Sequence, residues 1–133
     1  MRAGRSAAHG AALFHVLGSF PAATANRKTA GRNILIYVVA TLTVKPETRA
    51  ELIAAAKLSI AATRKEPGNI SYDMHESVTD PTKIVFVEQW ENAEALVPHR
   101  TADHMKAFGR VAVNCMTAPP KIEIITPAKV DVR

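Results

Sequence analysis

The chain has 133 residues, a net charge of +5, 47% apolar residues and 22% charged residues. That is the profile of one globular domain and excludes wholesale disorder. A single cysteine, Cys115, excludes an intrachain disulfide and a cysteine metal cluster. No apolar run reaches the ~18 residues of a membrane span.

The positive charge does not point to nucleic acid. Residues 1–33 hold Arg2, Arg5, Arg27, Lys28 and Arg32 and no acid, so the remainder carries twelve basic groups against twelve acidic ones. It has no excess charge with which to neutralise phosphates. The first 33 residues form a unit of their own, set apart from a domain over 34–133. A basic start, an apolar stretch from Ala11 to Phe20 and the Ala23-Thr24-Ala25 triplet are the three zones of a secretory signal, though His15 and Gly18 interrupt the middle one. The acid-free, arginine-bearing composition also resembles an organelle transit peptide. The plainest reading is a disordered tail or an extension ahead of a start near Leu35. The expected location is the cytoplasm, or export if residues 1–25 are a signal.

In chain order, residues 35–44 (LIYVVATLTV) predict a strand. Ile36, Val38, Ala40, Leu42 and Val44 line one side, and Leu35, Tyr37 and Val39 begin an apolar second side, as in a strand covered on both faces. Lys45-Pro46-Glu47 opens a helix, with proline where its missing N–H goes unused and an acid that suits the helix dipole. Leu52, Ala55, Ala56, Ser59, Ile60 and Thr63 make its buried stripe, and Pro67-Gly68 stops it. Residues 69–77 and 83–91 predict two strands joined by the turn Thr79-Asp80-Pro81-Thr82, hence an antiparallel hairpin. Ile70, Tyr72 and Met74 share one face of the first. Ile84, Phe86, Glu88 and Trp90 share one face of the second.

Asn92 is expected to cap a short helix from Ala93 to Val97, ended near Pro98. Thr101 is expected to cap a further helix with the stripe Met105, Phe108, Ala112 and Cys115. Lys121 to Thr126 predicts the last strand. The order β-α-β-β-α-β is the split βαβ, ferredoxin-like α+β arrangement: a four-stranded antiparallel sheet with helices on one face. Val39, Val85, Val87 and Ile125 fall on the other face. An apolar sheet face of that extent predicts a homodimer joined through the sheets, a dimeric α/β barrel.

Three stretches carry a family resemblance: Glu66-Pro67-Gly68-Asn69, Glu88-Gln89-Trp90-Glu91, and the run His99-Arg100-Thr101-Ala102-Asp103-His104-Met105-Lys106-Ala107-Phe108. In this order the chain resembles the antibiotic biosynthesis monooxygenase superfamily, in particular its quinol monooxygenase-like members, over roughly residues 35–127. The resemblance implies a pocket between sheet and helices in each subunit of a dimer. It also implies oxidation of a small quinol or polycyclic phenol by O₂ with no flavin or metal, the phenolate itself supplying the electrons. Haem-degrading relatives carry an asparagine on the first strand where this chain has Ala40, which argues against that activity. The Glu66–Asn69 run and the His99–His104 spacing also resemble an isomerase branch acting on a small phosphorylated dicarbonyl. A non-catalytic dimeric ligand-binding module on the same scaffold is the third possibility.

Each candidate residue has a chemical reading beside a structural one. The resemblance places Trp90 in the pocket wall, its indole N–H turned to a substrate oxygen; otherwise it anchors the core. His104 is the candidate general base for a phenolic proton, or a hydrogen-bonded core histidine. Glu88 is an inward carboxylate that needs a partner, for which Arg100, Lys106 or a histidine is available. It is either a structural ion pair or an acid–base group with a raised pKa. Tyr72, His99, Asn69 and Phe108 are candidate substrate contacts: a hydroxyl near the pocket, a histidine at its mouth, a turn residue with an amide to donate, and an apolar wall. His75 lies on the opposite strand face and reads as structural. His99 and His104 are five apart, not the three or four that put two ligands on one helix face, so no metal is expected without a further ligand.

Overall fold

The computed structural model describes residues 34–133; the expected leader over 1–33 lies outside them. The strands are β1 (Ile36–Thr43), β2 (Asn69–Glu76), β3 (Lys83–Trp90) and β4 (Lys121–Ile125). The helices are α1 (Arg49–Thr63), α2 (Leu96–Thr101) and α3 (Asp103–Cys115). The sheet order is β2-β3-β1-β4, with every neighbouring pair antiparallel. This is the predicted α+β ferredoxin-like fold.

Alternation along β1 sets the layers. Ile36, Val38, Ala40 and Leu42 are buried under the helices, while Tyr37, Val39, Thr41 and Thr43 are half-buried on the outer side. The helices contribute the stripes read from the sequence: Leu52, Ala56, Ser59 and Thr63 from α1, and Met105, Phe108, Ala112 and Cys115 from α3, with Gly109 added. No helix among the described residues is long and apolar enough to cross a membrane.

Five local expectations are corrected. Pro46–Thr48 forms a 3₁₀ turn, and the regular helix starts only at Arg49. In β2 the register slips between Asn69 and Ser71, and Ile70 is 51% exposed rather than sharing the buried face of Tyr72. The irregularity inserts one unpaired residue and breaks the two-residue period. Pro98 does not end the short helix but sits within its first turn, where the backbone N–H has no helical acceptor and proline loses no bond. Asn92 caps only the preceding turn, its Oδ1 accepting the Ala95 N–H at 2.9 Å. Thr101 ends α2 instead of capping α3. Ala102, extended at φ −62° and ψ 144°, separates the two helices.

Candidate active site

The sheet and the second pair of helices do not close completely. A cavity of about 70 Å³ remains, floored by Val38, Ala40 and Phe86 and roofed by Leu96, Met105 and Phe108. Its position follows from side-chain size. Ala40, midway along β1, is paired with Phe86 on one side and Ile122 on the other, and Ala112 of α3 also lines the space. Two methyl-sized side chains at the sheet–helix contact leave volume that leucines would fill.

The lining is apolar except at one corner, where Tyr72, Glu88, His99 and Arg100 meet it. Strand register places Tyr72 directly opposite Glu88. α2 delivers His99 beside them: its ring centroid is 5.5 Å from that of Tyr72 and 4.8 Å from that of Trp90. Phe108 stands edge-on to Phe86, with centroids 5.7 Å apart, and completes the wall.

Glu88 is buried, and one partner is a neutral donor on its own strand. The Trp90 indole N–H donates to its Oε2 at 2.8 Å. Burial pushes the Glu88 carboxyl up to about 7; the indole hydrogen bond pulls the other way, and the charge of Glu66 adds to the rise. Both protonation states are therefore available near neutral pH. Tyr72 is pushed well above its ordinary value, by burial first and by Glu88 and Glu66 next, so it remains a neutral phenol.

Behind the cavity lies a second layer that sequence reading did not assign. Glu66 follows α1, ahead of the reversal at Gly68. Its Oε1 is 3.0 Å from His99 Nδ1 and 2.6 Å from His104 Nε2. His104 Nε2 also lies 3.1 Å from Thr63 Oγ1. Glu66 holds Nδ1 of His99, which leaves Nε2 as the nitrogen available to the cavity. Burial lowers the His99 pKa, opposed by the hydrogen bond and charge of Glu66. The signal for Glu66 was in the sequence: an acid just past a helix C-terminus faces the wrong end of the dipole, and a broken local rule marks a site.

The candidate residues thus divide. Glu88, Tyr72, His99 and Phe108 line the cavity. Trp90 is fully buried and outside its lining; the indole N–H expected to face a ligand is committed to Glu88. His104 is also outside the lining, turned to Thr63 and Glu66. Asn69 does not reach the cavity. Its amide donates to Ser71 O at 3.2 Å and to Gln89 O at 3.5 Å, across the β2 irregularity. His75 is exposed on the outer side of β2.

Comparison with known proteins finds relatives in sequence and in fold. A sequence model of antibiotic biosynthesis monooxygenases matches residues 35–111. "Uncharacterized protein sll1783" of Synechocystis is 33% identical over 89 residues, 67% of this chain and 60% of that protein, so the chain spans well under the full length of this relative. "Putative monooxygenase YcnE" of Bacillus subtilis is 31% identical over 64% of this chain and 90% of its own length. The solved structure of Rv0793 from Mycobacterium tuberculosis superposes with a TM-score of 0.68 at 26% identity, covering 74% of this chain and 99% of that one.

Proposed function

Because the chain belongs to the antibiotic biosynthesis monooxygenase family, we propose that it oxidises a small electron-rich quinol or phenol with O₂ in the cavity beneath α2 and α3. The observation that carries this reading is the convergence of Glu88, His99 and Tyr72 at one corner of an otherwise apolar cavity.

A phenol must lose its proton before it gives an electron to O₂. His99 accepts that proton at Nε2; Glu66 fixes the ring, and burial keeps it neutral beforehand. The phenolate reduces O₂ by one electron, and the radical pair joins at a ring carbon as a hydroperoxide. Loss of water then leaves a carbonyl. The C–H bond and the O–O bond break, one oxygen stays on carbon, and the other leaves with two protons. Glu88, poised near neutrality, donates to the departing oxygen. Tyr72 and Arg100 supply donors toward the developing anion. The scheme needs no flavin or metal.

Size narrows the substrate. The cavity of about 70 Å³ is several times the space of one water, yet about half the ~150 Å³ that admits a benzene-sized molecule. A single ring enters once the flexible Met105 and Met116 side chains yield; a polycyclic phenol needs more. The isomerase reading requires a cationic cluster. Arg100 lines the cavity, but Lys106 is exposed and does not, so the oxidative reading is favoured.

The outer sheet face supports pairing with a second copy of the chain. Val87 and Ile125 are 37% and 41% exposed there, beside half-buried Val39 and Val85.

The test is O₂ consumption by purified, chelator-treated protein across substituted hydroquinones and monocyclic phenols. Turnover with at least one of them, reduced about 10²-fold or more in His99→Ala, is expected. No uptake with any substrate, or unchanged turnover in His99→Ala, would overturn the proposal.

A further inference from the structure

We propose that Glu66, His99 and His104 form a binding site for one divalent transition-metal ion of the zinc or cobalt class. The sequence spacing argued against a metal pair, since two histidines five apart do not share a helix face. The two histidines stand on different helices, His99 on α2 and His104 on α3, so spacing along one helix does not decide whether they meet. Ala102 breaks the chain between α2 and α3, and the two ring centroids come to 6.1 Å. Glu66 supplies the third donor. One ligand atom from each residue lies within 4.8 Å of the others before any ion draws them together.

The hydrogen bonding there is lopsided. Both imidazoles converge on Oε1, while Oε2 is buried with no hydrogen-bond partner among the described residues. A buried carboxylate oxygen left bare is costly, and a cation bound to it removes that cost. Two imidazole nitrogens and a carboxylate oxygen are the donor set of an open zinc site, with ligand bonds of about 2.0–2.2 Å. Imidazole with carboxylate suits borderline divalent ions rather than magnesium or calcium. Oε1 is now at hydrogen-bond distance from both nitrogens, so the three groups must open by a few tenths of an ångström. His104 is 23% exposed at its side chain and has room to turn. Arg100 is the cation near enough to His99 to oppose the ion.

Each imidazole keeps one proton on binding but moves it to the far nitrogen. His99 then carries its proton on Nε2 and His104 on Nδ1, with the freed lone pairs on the ion. His99 would present a donor to the cavity instead of an acceptor, so an occupied site suspends proton abstraction. That consequence rests on the proposed oxidation; the site does not.

The full chain, stripped by chelator, is titrated with Co²⁺ while its visible absorption is recorded. His9, His15 and His75 are replaced by Asn in one variant to exclude the other imidazoles. One Co²⁺ per chain is expected in both backgrounds. Glu66→Gln or His104→Asn should weaken binding by at least the roughly 10–100-fold that changes outside the first coordination sphere cost. Histidine ¹⁵N spectra of the unaltered chain with Zn²⁺ need no variant and should report the proton on Nε2 of His99 and Nδ1 of His104. No stoichiometric uptake, equal affinity in the Glu66 and His104 variants, or tautomers unmoved by saturating Zn²⁺ would overturn the site. Binding is read without turnover, so its failure and the failure of the proposed oxidation are separate results.

Discussion

The indole N–H of Trp90 donates to Oε2 of Glu88, 2.8 Å away and two residues earlier on the same face of β3. Both side chains are buried, at 0% and 5% exposure, so the bond is made where water cannot replace it. Trp90→Phe keeps an aromatic ring in the core and removes the donor. The carboxylate then loses a charge-assisted bond that contributes about 1.5–3 kcal/mol, and its pKa rises further. Urea denaturation at pH 8 should show a loss of that order plus the smaller packing loss. At pH 5, where Glu88 is protonated, the loss should be smaller. Equal destabilisation at both pH values would mean that the ring, not the hydrogen bond, is what Trp90 contributes.

Glu88 also gives stability a definite pH slope. Its folded pKa of about 7 lies above the ordinary 4.5, so the folded chain holds the proton more tightly. The stability tied to that proton is fully present below about pH 4.5 and declines as pH rises through 7, by roughly 3 kcal/mol at most. His99 slopes the other way. Its lowered pKa disfavours the folded state as pH falls below the ordinary histidine range. Glu88→Gln removes only the first slope, so the variant should gain on the wild type between pH 5 and pH 8. Parallel stability curves for the two would refute the raised pKa.

Gly68 is constrained twice. Its φ is +83°, and a Cβ added there would lie 2.6 Å from Ala95 Cβ. Gly68→Ala should cost about 2–4 kcal/mol, combining left-handed backbone strain with overpacking. The pair Gly68→Ala with Ala95→Gly should recover the steric part and leave the backbone part. Denaturation midpoints of the three variants measure the division, and no recovery in the pair would locate the whole cost in the backbone.

Ala40 is the size-determining residue of the cavity floor. Ala40→Leu directs three more carbons into space that is already empty, so its cost should stay below the roughly 1–3 kcal/mol of overpacking a filled core. The same group should block the substrate ring. An unchanged melting temperature with abolished quinol oxidation is expected; retained oxidation would place the reaction elsewhere.

Val87 is exposed near the middle of the outer sheet face, directly opposite Val39. Val87→Lys sets a charge where two copies would meet, and a desolvated unpaired charge outweighs the apolar contact it replaces. Sedimentation equilibrium should find wild-type dimers and variant monomers at the same micromolar concentration. Identical masses would remove this face from the assembly.

The sequence by itself determined the fold. Periodicities of two and near four, with Pro67-Gly68 and the Asp80-Pro81 turn as punctuation, fixed the order of strands and helices, because burial repeats along a chain with the geometry of each element. It also determined which residues line the sheet's inner face, since alternation along β1 and β3 leaves little choice. What alternation does not register is a slip such as the one at Ile70, or a helix break at Ala102 that no proline or glycine announces. The site was legible only in part for the same reason. Glu88, Tyr72 and Phe108 could be placed on the cavity side because they stand on regular faces, whereas His99 was expected beyond the end of a helix and stands within one. Only the tertiary structure decided that the Trp90 N–H belongs to Glu88, that His99 rather than His104 reaches the cavity, and that Glu66 joins the two histidines. The first is a side-chain contact between two neighbours on one face of β3, which alternation brings together but does not pair; the others join α2, α3 and the turn after α1, and a distance between separate elements is set by packing, which leaves no period along the chain.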